Sequence, residues 1–308
     1  MKFAAIDIGS NAVRLLFSNV FEDGKEVIFK KSSLIRLPIR LGEDVFLKHV
    51  ISEQKITMLI KAMQSFKLLM EVHGVISYRA VATSAMREAA NRKEVLERVK
   101  NESGVEIEVV DGETEAGIIY SNHVAEQIDG KKSYLYIDVG GGSTELALFA
   151  DKKIVASGSV NIGTIRLLNN QVNKADWNYL KSYVKEITQG HQPVTGIGSG
   201  GNINKIIKLA EELPGKPLSF KKLKEVNKML NSLSLAQRIM VLGLNTDRAD
   251  VIIPAARIFI SIMKTADIKK LYVPQIGLSD GIIHLLYEDY KKKQQAPIKR
   301  ELPEVIGY

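Results

Sequence analysis

Ile6-Asp7-Ile8-Gly9-Ser10-Asn11, running on to Arg14-Leu15-Leu16-Phe17, returns later in the chain as Ile137-Asp138-Val139-Gly140-Gly141-Gly142-Ser143, running on to Glu145-Leu146-Ala147-Leu148-Phe149. Each copy reads as an apolar strand, an aspartate, a glycine-containing turn and a returning strand, and the second copy aligns with one extra residue. An internal repeat of this kind predicts two related domains that open on the same hairpin and face one another across a cleft. Functional groups are then expected in facing pairs.

Outward from the first hairpin, three strands joined by tight turns are expected over 2–9, 13–20 and 26–40. Apolar residues recur at three- and four-residue steps from Ile56 to Leu69, which predicts a helix over 52–72 with Ser52 as N-cap. A strand over 78–82, a helix over 84–101, a strand over 105–110 and a helix over 113–127 complete a β-α-β-α run, implying parallel pairing. Asp129-Gly130-Lys131-Lys132 reads as a linker. This divides the chain into a first domain over 1–128 and a second over 129–293, with 294–308 available to join the first. The second half continues as a helix over 174–186, a strand over 193–197, a helix over 202–213 and a helical region over 220–242. A helix over 248–266 carrying Pro254, a strand over 270–274 and a helix over 279–293 follow.

The 308 residues suffice for two domains, each with its own core. There is no cysteine, which removes disulfides, thiolate metal sites and cysteine nucleophiles. The amino-terminal sequence lacks the apolar core of a signal peptide, no run approaches a membrane span, and a cytoplasmic protein is expected. Lys and Arg exceed Asp and Glu by 43 to 35, and the net charge of +8 favours a polyanionic partner.

The glycine turns let backbone N–H groups approach an anion closely. Asp7 and Asp138 sit where each strand ends, placed either to bind magnesium beside a phosphate or to hydrogen-bond the turn amides. The duplication favours the functional role. The cluster Gly196-Ile197-Gly198-Ser199-Gly200-Gly201 formally matches a dinucleotide fingerprint, but the acidic residue it requires falls at a helix end, leaving only a glycine turn that could seat a phosphate. Gly277-Leu278-Ser279-Asp280-Gly281 matches G-x-S-x-G, yet the only downstream histidine, His284, is one turn along the same helix. Ser279 is therefore expected as an N-cap. The five histidines show no metal-ligand spacing. Glu113 and Glu115 stand in the first turn of a helix, where either favours the dipole or orients a water. Arg14, Arg87 and Arg166 follow turns or helix starts, where a guanidinium can reach phosphate oxygens or simply face solvent.

The segments Ala5 to Asn11 with Arg14, Ala82-Thr83-Ser84-Ala85-Met86-Arg87-Glu88-Ala89, Gly112 with Glu115-Ala116, and Ile137 to Glu145 occur in the order and spacing of the exopolyphosphatase and guanosine pentaphosphate phosphatase family. The resemblance continues through Asn161 to Arg166, Arg248 to Pro254 and Gly277 to Gly281. It implies an α/β fold of two actin-like, ribonuclease-H-like domains around a cleft. It implies hydrolysis of the terminal phosphoanhydride of inorganic polyphosphate, or of guanosine pentaphosphate, with magnesium. Glu115 matches the family's catalytic glutamate; Asp138 and Glu145, with Asp7, would hold the metal or order the attacking water. Gly9, Ser10, Asn11, Gly140, Gly141, Gly142, Ser143 and Thr144, with Arg14 and Arg87, would position phosphates, and Gly198, Ser199 and Gly200 would supply a third loop. Longer family members carry added C-terminal helical domains that the resemblance does not extend to here, so a short chain or a nucleotide is expected as substrate rather than processive digestion of long polyphosphate; Ala12 also stands where a hydroxyl is frequent. No nucleic-acid or membrane partner is expected, and a homodimer is left open. A sugar-kinase-like or chaperone-like ATPase, and a polyphosphate or alarmone sensor without turnover, are the competing classes.

Overall fold

A computed structural model describes residues 1–24, 26–121, 132–213 and 215–295. The linker residues 129–131, the continuation of the expected helix over 122–127 and the segment 296–308 lie outside the described residues.

Two sheets organise the molecule. Strands β1 (Lys2–Ile8), β2 (Val13–Asp23), β3 (Glu26–Leu37), β4 (Ser77–Ala82) and β5 (Ile107–Val109) form the first, in the order β3-β2-β1-β4-β5. Strands β6 (Ser133–Val139), β7 (Thr144–Ala150), β8 (Lys153–Val160), β9 (Val194–Ser199), β10 (Leu218–Ser219) and β11 (Lys270–Tyr272) form the second, in the order β10-β11-β9-β6-β7-β8. Apart from β10, the second order repeats the first. In both, an antiparallel hairpin is followed by a parallel crossover onto its opening strand.

The paired strands correct the sequence alignment. Asp7 stands opposite Arg14 and Asp138 opposite Glu145. Gly9 N–H donates to the Ala12 carbonyl at 3.1 Å and Gly140 N–H to the Ser143 carbonyl at 3.0 Å. The hairpins therefore have equal length and a constant offset of 131 residues, with no extra residue in the second.

Side-chain alternation explains where the aspartates point. In β1, Ala4, Ile6 and Ile8 enter one core, while Phe3 and Ala5 enter another; in β6, Leu135, Ile137 and Val139 face away from Tyr134 and Tyr136. Strands buried on both faces read as continuous apolar runs. Phe3, Ala5, Tyr134 and Tyr136 meet in one shared core between the sheets. With a period of two, Asp7 and Asp138 end those inner columns and emerge together above that core.

Helices α1 (Leu41–Lys48), α2 (Glu53–Val72), α3 (Ser84–Glu88), α4 (Arg92–Ser103) and α5 (Gly112–Tyr120) belong to the first half. Helices α6 (Thr164–Leu168), α7 (Lys174–Thr188), α8 (Gly201–Leu209), α9 (Phe220–Ser232), α10 (Leu235–Met240), α11 (Thr246–Ala249), α12 (Ile252–Thr265) and α13 (Leu278–Gln295) follow. The expected helix over 84–101 is broken between α3 and α4, where the Asn91 side chain bonds both the N–H and the carbonyl of Ile51. The helical region over 220–242 divides at Leu233, because Ser234 and Gln237 form a capping box that starts a new helix. The helix over 248–266 likewise divides, and Pro254 falls in the first turn of α12, where no intrahelical N–H is lost.

Ser52 occupies the N-cap position of α2, but its hydroxyl turns to Asp44 rather than to the helix amides. Ser279 lies inside α13 rather than capping it; the Asp280 carboxylate accepts from the Gly277 N–H at 3.0 Å instead. Strand β8 and helices α1 and α6 carry no pattern in the sequence that announces them. Helix α13, grouped on sequence with the second half, packs on β1, β4 and α5 of the first, and Leu278, Ile282 and Ile283 join the shared core. Among the described residues no helix is long and apolar enough to cross a membrane.

Candidate active site

The two hairpin loops touch. A Cβ placed on Gly141 would lie 2.8 Å from Ser10 Cβ and 3.3 Å from the Asn11 nitrogen, so only glycine permits this approach. Gly142 sits equally tightly, its missing side chain replaced by the Phe46 ring and Ser84 Oγ. Gly200, at φ +104°, brings the third loop within 3.1 Å of Asp138 Oδ1, measured from where its Cβ would be. Three glycine turns, from β1, β6 and β9, thus converge on one cleft of about 330 Å³.

Asp7, Glu115, Asp138 and Glu145 line the cleft together, and Asp280 lines it too, ion-paired with Lys31. Asp7 is ion-paired, its Oδ2 2.5 Å from Arg14 Nη1. Burial lowers the proton affinity of Arg14, but Asp7, helped by Asp138 and Asp247, outweighs it and raises the guanidinium pKa. The second hairpin has no such cation. Burial, then Glu145, pushes Asp138 up to about 7. Glu145 is also raised by burial, against the hydroxyls of Ser143 at 2.5 Å and Ser159 at 3.1 Å, which donate to its Oε1.

Glu115 enters from the first turn of α5, whose N-cap Asp111 accepts from Thr114 N–H at 2.7 Å. Its carboxyl is held well above the usual range by burial, followed by the charges of Glu145, Asp138 and Asp7, and its Oε2 is buried without a hydrogen-bond partner. A buried acceptor left unpaired is costly, and its persistence beside a polar cleft points to a group that a ligand or water satisfies.

Of the residues named from sequence, Asp7, Gly9, Ser10, Asn11, Arg14, Glu115, Asp138, Gly140, Gly141, Ser143, Glu145, Ser199 and Gly200 line the cleft. Gly142, Thr144, Gly198 and Arg87 do not. Thr144 is fully buried and its Oγ1 donates to the Ile162 carbonyl at 2.6 Å; Gly198 packs against Leu271 and Ile203. Arg87 donates to the Val110 carbonyl at 2.9 Å and acts on the site through its charge, which favours the ionised forms of Glu115 and Glu145. Arg166 braces the second loop: it donates to the Gly142 carbonyl at 2.7 Å, pairs with Glu88 and lies 4.0 Å over the Phe46 ring.

Sequence reasoning missed the cationic walls. Lys31, Arg36, Lys208 and Arg248 also line the cleft. Arg248 lay within a recognised motif; Lys31 and Arg36 carry no signal beyond their place on a third strand facing the loops. Arg36 pairs with Asp247 at 2.5 Å and Arg40 with Asp250 at 2.9 Å, tying the halves together beside the cleft.

The donor set bears on magnesium. Among the described residues no three His, Asp or Glu side chains form a ready metal cluster. Asp7 is committed to Arg14. A hard cation held by one or two carboxylates and completed by phosphate oxygens and water nevertheless suits Asp138 and Glu145, whose mutual repulsion a divalent ion would relieve.

Comparison with known proteins gives this site a class and then a family. The fold superposes on the exopolyphosphatase of Cytophaga hutchinsonii with a TM-score of 0.80 at 21% identity, over 94% of this chain and 98% of that one. A Ppx/GppA family member from Aquifex aeolicus gives 0.74 at 27% identity, over 94% and 98%. The architecture is thus the actin-like, two-domain one that the resemblance implied. The model of the Ppx/GppA phosphatase family matches residues 24–289, and the chain belongs to that family. A bifunctional 3-dehydroquinate synthase/phosphatase of Fusobacterium nucleatum is 32% identical over 59% of this chain, which spans only 29% of that longer protein. A putative exopolyphosphatase of Haemophilus influenzae is 23% identical, over 94% of this chain and 93% of its own length. A guanosine-5'-triphosphate,3'-diphosphate pyrophosphatase of Vibrio parahaemolyticus is 24% identical, over 94% of this chain and 60% of its own length.

Proposed function

We propose that the chain hydrolyses the terminal phosphoanhydride of short inorganic polyphosphate, using water activated by Glu115. The observation that carries this reading is the buried, unpartnered Oε2 of Glu115 at the floor of a cleft that three glycine loops and several cations line. The loop amides and Arg14 bind the terminal phosphate and stabilise charge on its equatorial oxygens. Glu115 takes one proton from the attacking water as the water oxygen bonds to phosphorus; the bridging P–O bond breaks and the shortened chain leaves with its electrons. Burial and the neighbouring carboxylates raise the proton affinity of Glu115, which strengthens it as a proton acceptor.

Magnesium fits Asp138 and Glu145, and when bound it would neutralise phosphate charge and the repulsion between the carboxylates. Of the wall cations, Lys208 and Arg248 offer charge to further phosphates, while Lys31 and Arg36 are ion-paired with Asp280 and Asp247. The described residues lining the cleft include no aromatic ring on which a purine would stack, which favours polyphosphate over guanosine pentaphosphate. The nucleotide remains the second reading because the Vibrio parahaemolyticus relative bears that activity in its name.

The test is phosphate release with magnesium from short polyphosphate, long polyphosphate, guanosine pentaphosphate and ATP. Short polyphosphate is expected to turn over fastest, and Glu115→Gln to lower kcat by about 10³-fold or more while binding survives. Unchanged turnover in that variant would overturn the role of Glu115; binding without release from any substrate would leave a sensor.

A further inference from the structure

Helix α5 carries Glu115 into the cleft from the side, between two close backbone approaches. At its start, a Cβ on Gly112 would lie 2.5 Å from Ser159 Cβ on β8, the same Ser159 whose hydroxyl donates to Glu145. One turn beyond Glu115, α13 crosses over α5. A Cβ on Gly281 would lie 1.8 Å from the Ile118 carbonyl oxygen and 2.7 Å from its carbon. Both obstructing atoms are backbone, so no rotamer change makes room. Ser121 Oγ fastens the crossing, donating to the Ile118 carbonyl at 2.6 Å with the Gly281 carbonyl at 3.0 Å as a second acceptor.

We infer that Gly281 is a positioning residue for Glu115: the contact of its Cα with the Ile118 carbonyl sets how deeply α5 presents the carboxylate to Asp138 and Glu145. Glycine is a poorer helix former than alanine, and here it permits a crossing that alanine forbids. This accounts for the last glycine of the G-x-S-x-G stretch, which the proposed hydrolysis otherwise leaves without a part. Apolar packing of Ile118 with Leu278 and Ile282 makes the crossing a rigid joint, so added bulk translates the helix instead of being absorbed locally. A displacement of about 1 Å at a reacting group costs on the order of 100-fold in rate. The inference rests on the reading of Glu115 as the group that takes the water's proton.

The test uses Gly281→Ala and Ser121→Ala, each alone and combined with Glu115→Gln, in single-turnover phosphate release from short polyphosphate with magnesium. Gly281→Ala is expected to lower kcat about 100-fold with KM within about threefold, and Ser121→Ala to lower it severalfold. In the Glu115→Gln background neither change should lower the residual rate by more than about twofold, because each acts through the carboxylate already removed. A merely structural role would give the same loss in both backgrounds, and that result, or wild-type kcat in Gly281→Ala, overturns the inference. If Gly281→Ala does not fold, Ser121→Ala, which removes a hydroxyl and adds no atom, decides the question by the same comparison. Full turnover in Glu115→Gln alone would instead remove the catalytic reading and this inference with it.

Discussion

The two hairpins share length, turn hydrogen bond and strand register, yet differ at the pair of positions that face the cleft. In the first, Asp7 stands opposite Arg14 and the charges cancel across 2.5 Å. In the second, Asp138 stands opposite Glu145, and two carboxylates share one buried floor with Glu115. One backbone device, duplicated, therefore serves two electrostatic ends. On the proposed reading, the neutralised hairpin presents a guanidinium to phosphate, and the acidic one presents excess negative charge to a metal ion and an activated water. Cross-strand pairs set such differences cheaply, since a single substitution changes the charge of the pair without changing the fold.

The comparison breaks most severely if the second hairpin loses its charge. Asp138→Asn is expected to lower kcat on short polyphosphate by about 10²- to 10³-fold, comparable with removal of a preorganised electrostatic group. The same variant should melt higher than the parent when metal is absent, because an isosteric neutral group relieves the repulsion. Steady-state kinetics and thermal melts in chelator check both halves, and a variant less stable than the parent would refute the repulsion.

Next in size is the first hairpin. Arg14→Ala should raise KM and lower kcat/KM by about 10- to 100-fold, as expected for a charge-assisted phosphate contact of about 1.5–3 kcal/mol. It also leaves Asp7 buried and unpaired. An effect confined to stability, with kcat/KM intact, would mean that the pair is structural.

The acidic floor further predicts a dependence on pH. Burial and the charges of neighbouring carboxylates raise Asp138 from 3.8 to about 7 and hold Glu115 well above 4.5, while burial alone raises Glu145. The folded protein thus binds protons more tightly than the unfolded chain, and metal-free stability should fall as pH rises from about 4 through 7. Magnesium should reverse part of that fall, by several degrees in Tm. Melts between pH 5 and 8, with magnesium or chelator, measure it, and a Tm that rises with pH in chelator would contradict the arrangement.

The repeat made much of this visible in advance. Strands β1, β2, β6 and β7 follow from apolar runs broken at the glycine turns, and the facing of Asp7 and Asp138 follows from the period of two. The register did not follow, because Gly140-Gly141-Gly142 offers no side chain to align and invites a one-residue insertion. Strand β8 has no sequence signal although its counterpart β3 does: Ser157, Gly158 and Ser159 carry no apolar alternation and are held as strand by pairing with Ala147, Leu146 and Glu145. The place of Glu115 beside the other carboxylates depends on a crossing of α5 and α13, residues far apart in sequence, and no local pattern reports it. The cationic walls are equally silent, since a lysine or arginine on a strand has the same signal whether it faces solvent or a cleft.

The finest difference between the hairpins is one hydroxyl. Ser143 donates to Glu145 Oε1 at 2.5 Å, and its counterpart at the constant offset is Ala12, beside Asp7. Asp7 already has Arg14, so a hydroxyl there has no comparable charge to stabilise. Ser143→Ala should then lower activity about tenfold and move the acid limb of the pH–rate profile upward, because Glu145 loses a donor to its ionised form. Ala12→Ser should change kcat by less than about threefold. Position 12 is buried, so the new hydroxyl must find a turn acceptor or lower stability by roughly 1 kcal/mol. If Ala12→Ser matched Ser143→Ala in size, the two hairpins would be electrostatically equivalent and the division of labour between them would fail.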